Sequence, residues 1–268
     1  MFFIRFFHFI INLFVTLILW FYFIFGYLFI LLFLFLPVYI FAKSGATALQ
    51  NLNHVHLKIF FVLTRLLVPR TKFNIPEDVR KINSSVIVCN HLSYLDPILL
   101  VSIFRQQKTI VKHTFFKVPI FGWFLKNYGY ISSGSDNMSG PALINNLEGI
   151  KDHLTAGGVL FVFPEGTRSR NGRLAPFNKG VFTIARYCKA PLKLILITGT
   201  NKLFSPGHFL FNAGDFNQIQ LELIGSLEPD YKSSNFSVSA VADEARSIFE
   251  EKIAKTMNPA IKRLNNGG

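Results

Sequence analysis

Hydrophobic and polar positions divide the chain into a long apolar segment and a following region of short alternating elements. Residues 6–41 are nearly all Phe, Leu, Ile, Val, Tyr and Trp, interrupted by His8, Asn12, Gly26 and Pro37. About 20 such residues cross a bilayer core as a helix. The segment therefore predicts an uncleaved membrane anchor (residues 1–42), either one long tilted helix or a pair of helices that bends near Gly26. Its apolar run is too long for a cleaved signal peptide.

Residues 43–70 alternate apolar and basic groups and predict a basic juxtamembrane helix. His54 and His56 lie two residues apart in it, and that spacing can bind a metal. No carboxylate or cysteine lies nearby in the sequence to complete a metal site, so a solvated helix that faces lipid headgroups is the interpretation we adopt. Pro69-Arg70 marks the boundary with the globular part, residues 71–268.

The globular part alternates between strand and helix patterns. This alternation predicts an α/β fold, with helices covering a mixed or largely parallel sheet. The predicted strands are 85–89, 109–112, 128–131, 159–163, 192–198 and 219–224. The predicted helices are 97–106, 141–155, 179–188 and 239–256.

The charge of the chain indicates an anionic partner. The formal net charge is +13, and about +12 of it belongs to residues 43–268 because Arg5 is the only charged residue before them. Such an excess suits phospholipid headgroups, nucleotides or nucleic acid. The two cysteines, Cys89 and Cys188, do not make a disulfide framework, and Cys89 lies inside an apolar strand pattern typical of the core.

The first stretch with chemical potential is Asn90-His91-Leu92-Ser93-Tyr94-Leu95-Asp96. It follows the apolar run 86–89 and precedes a helix that Asp96-Pro97 is expected to open. On a regular helix, residues five apart point to different faces. His91 and Asp96 can therefore meet only across a loop, which would make them a histidine–carboxylate pair at a strand end.

The second stretch is Phe163-Pro164-Glu165-Gly166-Thr167-Arg168-Ser169, again just past an apolar strand. Its glycine lets backbone N–H groups approach an oxyanion, Thr167 adds a hydroxyl, and Arg168 can grip phosphate with two parallel hydrogen bonds. Further on, Lys179 stands at the start of a predicted helix, where anions are favoured. These residues predict an anion site beside the His91 loop.

Each feature also has a purely structural interpretation. Asp96 is a common type of helix N-cap, His91 can be an ordinary loop histidine, and Glu165 and Arg168 can form an ion pair on a surface turn. The occurrence of both stretches at two strand ends of one sheet, behind a membrane anchor, favours a functional site.

The two stretches at this spacing resemble the motifs of the 1-acyl-sn-glycerol-3-phosphate acyltransferase family. The resemblance covers about residues 70–200, with the core motifs in 85–200, and it implies the glycerolipid acyltransferase type of α/β fold. It implies that His91 is the base that activates the acceptor hydroxyl and that Asp96 orients it. The acceptor phosphate would be bound by Glu165, Gly166, Thr167 and Arg168. Other positions that match family motifs are Asn90, Lys112, Pro119, Gly122, Lys179 and Pro191.

One position departs from the family pattern. The second family motif ends in Asp-Arg, whereas the corresponding stretch here reads Gly129-Tyr130-Ile131-Ser132-Ser133. Ser133 stands where an arginine would join Arg168 in binding phosphate. An arginine–phosphate contact contributes roughly 1.5–3 kcal/mol, so its loss would weaken a phosphomonoester acceptor about tenfold or more. Two interpretations therefore remain: the acceptor is another lyso-lipid, or a nearby lysine such as Lys126 supplies the missing positive charge.

The resemblance implies a membrane-bound O-acyltransferase of phospholipid biosynthesis. The expected partners are the lipid bilayer, a lyso-glycerolipid acceptor and an acyl thioester donor, either acyl-CoA or acyl-acyl carrier protein, with no nucleic acid. No bound cofactor or metal is needed, and backbone N–H groups near the first motif are expected to stabilise the oxyanion. Lys43 and the basic residues beyond it predict a catalytic domain on the cytoplasmic face. A membrane-anchored lipid hydrolase that uses the same His–Asp pair is a less favoured alternative, as is a non-catalytic binding protein.

Overall fold

The structure is a computed structural model that describes residues 2–35, 37, 40, 45–134, 140–169 and 173–257. The strands are β1 (Thr71–Asn74), β2 (Ser85–Cys89), β3 (Gln107–Val111), β4 (Ile131–Ser132), β5 (Val159–Val162), β6 (Leu192–Thr198) and β7 (Asn217–Leu227). The helices are α1 (Phe2–Phe29), α2 (Gly45–Leu67), α3 (Glu77–Arg80), α4 (Leu95–Ile103), α5 (His113–Phe116), α6 (Phe121–Asn127), α7 (Gly140–Thr155), α8 (Gly180–Cys188), α9 (Thr200–Leu203) and α10 (Val238–Met257), with a π-helix at Ile30–Phe35 after α1.

The seven strands form one sheet in the order β1-β7-β6-β2-β5-β3-β4. Strands β6, β2, β5, β3 and β4 run parallel to one another, and β7 pairs antiparallel with β6. The prediction of a mixed, largely parallel sheet covered by helices is confirmed. The central strands are buried on both faces, which explains why they read as continuous apolar runs.

Two hydrophobic clusters cover the two faces of the sheet. On β2, Ile87 and Cys89 belong to the cluster under α1, α2 and α4, whereas Val86 and Val88 belong to the cluster under α7, α8 and α10. Cys89 is fully buried, as predicted. In such a sheet, a site forms at the carboxyl ends of the parallel strands.

The apolar segment forms one continuous helix through Gly26, in agreement with the first of the two predicted alternatives and without a bend at that residue. A Cβ at Gly26 would lie 2.5 Å from Cε1 of His56, and the glycine instead makes room for the packing of α2 against α1. Tyr22 contacts His56 while Tyr27 bonds to Asn53, so the two helices run antiparallel. Any second half of the predicted hairpin falls largely on residues outside the described ranges.

Helix α1 is attached to the globular part by its few polar side chains. Oδ1 of Asn12 accepts the N–H of Ala213, and Oγ1 of Thr16 accepts the N–H of Phe211, each at 2.8 Å. Its opposite face exposes phenylalanines. Arg5–Phe29 is long and apolar enough to cross a bilayer by length and composition, and only 17% of its most apolar window is buried.

The prediction that α2 is solvated is wrong for the face that carries its histidines. His56 is buried against Tyr22 and Tyr27, and Nδ1 of His54 lies 2.9 Å from the carbonyl oxygen of Val101. Both histidines therefore serve the packing of α2. Another boundary also differs from its prediction: of the strand expected at 128–131, only Ile131 lies in β4.

Candidate active site

The two motif stretches meet at the carboxyl edge of the sheet. Strands β2 and β5 are parallel neighbours, with Val88 opposite Val162. The loops that follow them begin side by side, so the Asn90–Tyr94 loop and the Phe163–Ser169 loop share one end of the sheet. This edge is where ligands bind in open α/β sheets.

His91 and Asp96 form a hydrogen-bonded pair across the loop. Nδ1 of His91 lies 2.9 Å from Oδ2 of Asp96, and the carboxylate is fully buried whereas the imidazole is 16% exposed. Helix α4 begins at Leu95, and the carboxylate accepts the N–H groups of Leu92 and Ser93, which precede the helix. Asp96 therefore organises the histidine loop and is not the N-cap of α4.

The pairing defines what the histidine can do. An ionised carboxylate only accepts hydrogen bonds, so Nδ1 carries the proton and Nε2 presents a lone pair. The ring of Phe163 stacks on the imidazole with centroids 4.2 Å apart, which restrains its rotation. His91 is thus held in the tautomer and orientation of a general base.

Glu165 connects the two motif loops. Its Oε1 accepts the N–H of His91 and its Oε2 accepts the N–H of Ala175, both at 3.0 Å, and the residue is 8% exposed. Burial raises the pKa of this carboxyl, and the two backbone N–H donors partly offset that rise. The N–H of Ser169 donates to the carbonyl of His91 at 2.8 Å. Glu165 therefore joins the loops through the backbone, in place of the predicted alternative of an ion pair with Arg168.

Arg168 is positioned by an aromatic ring. The carbon of its guanidinium lies 3.4 Å from the ring centroid of Tyr94, a distance typical of a stacked cation–π pair. Its buried Nη1 has no hydrogen-bond partner within the described part of the chain. Gly166 has a φ of +66°, a conformation that favours glycine, in the turn that carries Thr167 and Arg168 outward.

A cavity of about 270 Å³ lies beside these residues. Two arginines line it, Arg168 and Arg173. Its lining consists of Glu165, Thr167, Arg168, Ser169, Arg173, Leu174 and Ala175.

The other residues that match family motifs lie outside the cavity, and the first three are Asn90, Pro191 and Lys179. The side-chain amide of Asn90 pairs with the backbone of Ile197, accepting its N–H at 2.7 Å and donating to its carbonyl at 2.9 Å, and so ties β2 to β6. Pro191 leads into β6, and its carbonyl accepts the N–H of Val86. Lys179 donates to Oγ of Ser239 at 2.7 Å on the exposed surface, so in this structure its ammonium group is engaged with α10.

Lys112, Pro119 and Gly122 belong to the hairpin of α5 and α6 that follows β3. Lys112 is exposed at the start of α5. A Cβ at Gly122 would lie 2.2 Å from the carbonyl oxygen of Phe116, so only glycine allows α6 to pack this closely on α5. Ser133 is exposed just past β4, where its N–H donates to Val111. It therefore lies two strands away from β5.

Hydrogen bonds and burial in β2 and the first loop limit which groups there can take part in acyl transfer. The N–H groups of His91, Leu92 and Ser93 all donate to carboxylates, so these three are already engaged within the loop and are not the backbone N–H groups that would stabilise an oxyanion. The hydroxyl of Ser93 is buried and donates to the carbonyl of Phe204 at 2.7 Å. Burial also raises the pKa of the Cys89 thiol. Neither side chain is available as an acyl-accepting nucleophile.

Sequence reasoning missed Phe163, Tyr94 and Arg173 as members of the site. Phe163 and Tyr94 lie inside the two quoted motifs, so their position was visible but their stacking partners were not. Arg173 follows the second motif by four residues and lies outside the quoted stretch, yet it lines the cavity.

Comparisons with known proteins agree with this architecture. A model of the family described as Acyltransferase matches residues 70–197. The chain is 35% identical over 174 residues to the chloroplastic 1-acyl-sn-glycerol-3-phosphate acyltransferase BAT2 of Brassica napus. The aligned region covers 65% of this chain and 46% of that protein. A Saccharomyces cerevisiae protein of the same activity name is 30% identical, with 67% of this chain and 56% of that protein covered. The chain spans about half the length of the curated relatives it matches.

A solved structure shares the fold. The crystal structure of the 1-acyl-sn-glycerophosphate (LPA) acyltransferase PlsC from Thermotoga maritima superposes with a TM-score of 0.65, covering 91% of this chain and 98% of that one. The sequence identity is 23%, so this likeness supports the architecture alone.

Proposed function

We propose that this chain, which belongs to the acyltransferase family, moves a fatty acyl group from an acyl thioester to the hydroxyl of 1-acyl-glycerol-3-phosphate and so forms phosphatidic acid. The observation that carries the proposal is the His91–Asp96 pair, whose loop Glu165 joins to the loop that lines a cavity with Arg168. The activity named for the relatives is the same.

The proposed mechanism is direct transfer. Nε2 of His91 removes the proton of the acceptor hydroxyl as that oxygen attacks the thioester carbonyl. Collapse of the tetrahedral intermediate breaks the C–S bond, and the imidazolium returns the proton to the departing thiolate. Asp96 stabilises the imidazolium throughout because its carboxylate stays hydrogen-bonded to Nδ1. The burial of Cys89 and Ser93 supports transfer without an acyl-enzyme.

The acceptor phosphate is assigned to the cavity beside the base. The fork of Arg168 is stacked on Tyr94 and keeps a buried nitrogen without a hydrogen-bond partner among the described residues, an arrangement suited to a bidentate phosphate contact. Arg173 lines the same cavity and would contribute the second positive charge that Ser133 does not. This favours the phosphomonoester acceptor over a lyso-lipid without phosphate.

Membrane attachment through α1 completes the proposal. The exposed phenylalanines of that helix would face acyl chains, and the basic residues after the anchor favour a catalytic domain on the cytoplasmic face. The donor is acyl-CoA or acyl-acyl carrier protein, and the positive charge of the globular part suits either phosphorylated carrier.

The test is a transfer assay with purified full-length protein, a labelled acyl donor and a panel of lyso-lipids with and without a phosphate monoester. We expect phosphatidic acid to be the main product and His91→Ala to abolish it while the far-UV circular dichroism stays unchanged. Full activity of His91→Ala would overturn the assignment of the base. Release of free fatty acid at the same rate with and without acceptor would identify a hydrolase instead.

A further inference from the structure

The hairpin of α5 and α6, residues 112–127, exposes a row of large apolar side chains. Its two short helices, α5 and α6, are joined by a single turn, and α6 buries Phe124 and Leu125 on its inner face. Contiguous exposed apolar groups on a protein usually mark an interaction surface. The exposed fractions are Phe115 40%, Val118 45%, Ile120 52%, Phe121 37% and Trp123 40%.

The tip of the hairpin is held in a strained conformation that displays Ile120. This residue has φ 63° and ψ −58°, and the N–H of Phe121 donates to the carbonyl of Pro119 at 2.6 Å. These angles define a γ-turn of the rare positive-φ kind, which a β-branched residue seldom adopts. Gly122 makes it possible by packing directly on the carbonyl of Phe116. A strained turn that presents an isoleucine to solvent indicates that the side chain is used outside the molecule.

The charge around the hairpin identifies the kind of partner. Between Pro97 and Ser135 the sequence has no acidic residue and five basic ones. Three of these, Lys112, Lys117 and Lys126, are exposed on the hairpin itself. Apolar side chains with a tryptophan, ringed by lysines, match the boundary between acyl chains and anionic headgroups.

The hairpin is continuous with the apolar helix on one side and with the site on the other. Phe124 of α6 contacts Tyr27 near the end of α1, with centroids 5.4 Å apart, and Gln50 of α2 donates to the carbonyl of Tyr128 at 2.6 Å. On the other side, β3 leads into the hairpin and pairs with β5, which carries the Glu165 loop. The hairpin therefore packs against the membrane helix through α6 and follows a strand that neighbours the one leading into the anion cavity.

We infer that the α5–α6 hairpin is a second membrane contact, which inserts Ile120, Phe121 and Trp123 into the interface of an anionic bilayer beside the catalytic cleft. It holds the cleft at the lipid surface, so that an acceptor reaches His91 without leaving the bilayer. The inference deepens the proposed function and rests on it for the identity of the acceptor. Its first test does not require activity.

Tryptophan fluorescence tests the insertion directly because the chain has two tryptophans, Trp20 and Trp123. Trp20→Phe leaves Trp123 as the reporter in the full chain. In vesicles of phosphatidylglycerol and phosphatidylcholine with bromine atoms at a shallow acyl position, we expect the emission to fall at least about twofold relative to unbrominated vesicles. If Trp20→Phe folds poorly, the contribution of Trp123 is obtained by subtracting the emission of Trp123→Phe from that of wild type. Trp123 emission that bromine does not quench would overturn the inference. If the protein were also dimeric, the exposed face of the hairpin would be a contact with a second copy of the chain.

Activity on two forms of acceptor gives an independent test. The double variant Ile120→Ser, Trp123→Ser should lose at least about tenfold in rate on long-chain acceptor in anionic vesicles, and should match wild type on a short-chain acceptor below its critical micelle concentration. Tyr187→Ser is the matched control, since Tyr187 is 42% exposed on α8 over the other face of the sheet. Equal losses on both acceptors would show that the hairpin supports the fold of the site, and would overturn the docking role. If neither acceptor is used by wild type, the proposed function fails while the fluorescence result stands.

Discussion

Oδ2 of Asp96 lies 2.9 Å from Nδ1 of His91 and also accepts the N–H groups of Leu92 and Ser93 at 2.6 and 2.7 Å. One oxygen atom therefore shapes the loop and orients the base. The other carboxylate oxygen, Oδ1, is buried without a hydrogen-bond partner among the described residues. The function of the pair thus depends on an acceptor-only group at this one position.

Asp96→Asn tests this dependence. An amide oxygen at the position of Oδ2 can still accept these three hydrogen bonds, but the neutral side chain lacks the negative charge that stabilises the imidazolium. With the amide turned the other way, its NH₂ group would face Nδ1 and favour the wrong tautomer. We therefore expect kcat to fall by about 10²–10⁴-fold, with a smaller change in KM. Steady-state kinetics measure this. If Asp96→Asn kept full activity, Asp96 would have only a local structural role.

The loop that carries this pair was predictable because it combines two local patterns. An apolar run ends at Cys89 and a helix pattern starts near Pro97, so the residues between them had to be a loop at a strand end. The second motif follows β5 in the same way. The carboxyl ends of parallel neighbours lie at one edge, and this rule alone brings His91 and Glu165 together.

The contacts that fix each side chain were not predictable in this way. His56 belongs to a polar-looking helix pattern, but it is buried because Gly26 of a distant helix leaves room for it. Tyr94 and Arg168 are 74 residues apart, and nothing in either motif indicates that they stack. Such pairings depend on tertiary packing, which overrides local patterns.

Arg168→Lys should weaken the acceptor more than the donor. Lysine cannot reproduce the bidentate fork or the flat stacking on an aromatic ring, so we expect the acceptor KM to rise about tenfold with kcat changed less. The kinetics are measured with the donor saturating. Tyr94→Phe keeps the ring and should match wild type, whereas Tyr94→Leu should follow Arg168→Lys. An unchanged acceptor KM in Arg168→Lys would remove Arg168 from the phosphate site.

Glu165→Gln should loosen the connection between the two loops. A glutamine side chain has one acceptor oxygen, so it can satisfy either His91 or Ala175 but not both N–H groups. We expect a loss of about 1–3 kcal/mol in the free energy of unfolding, together with a lower kcat because the base is displaced. Chemical denaturation and kinetics are measured on the same preparation. The exposed Glu148→Gln on α7 is the control, and equal stability of the two variants would contradict the bridging role.

Gly122→Ala should destabilise the α5–α6 hairpin. The added Cβ would lie 2.2 Å from the carbonyl oxygen of Phe116, a backbone atom that cannot move without shifting α5. Forced packing of this kind costs about 1–3 kcal/mol. Gly45→Ala provides the comparison because no atom of the described residues lies within 4 Å of its Cβ position. Thermal unfolding followed by circular dichroism should show a lower midpoint for Gly122→Ala only.

The stability of the fold should fall on acidification because of His153. Burial, helped by the positive charge of Lys108, lowers the pKa of this imidazole to about 4, whereas in an unfolded chain it is about 6.5. The folded state therefore binds fewer protons than the unfolded chain between these values. The stabilisation is fully present above about pH 6.5 and is lost as the pH falls towards 4, by at most about 3 kcal/mol at the lower limit.

The variant His153→Gln isolates this contribution. Nε2 of His153 lies 3.2 Å from the carbonyl oxygen of Val159, and a glutamine amide can donate to the same oxygen without titrating. Denaturant unfolding is compared at pH 7 and pH 4.5 for wild type, His153→Gln and the exposed-site control His208→Gln. We expect His153→Gln to lose less stability on acidification than the other two proteins, since its side chain stays neutral in both states. If all three proteins lost the same amount, His153 would not be the cause of the acid sensitivity.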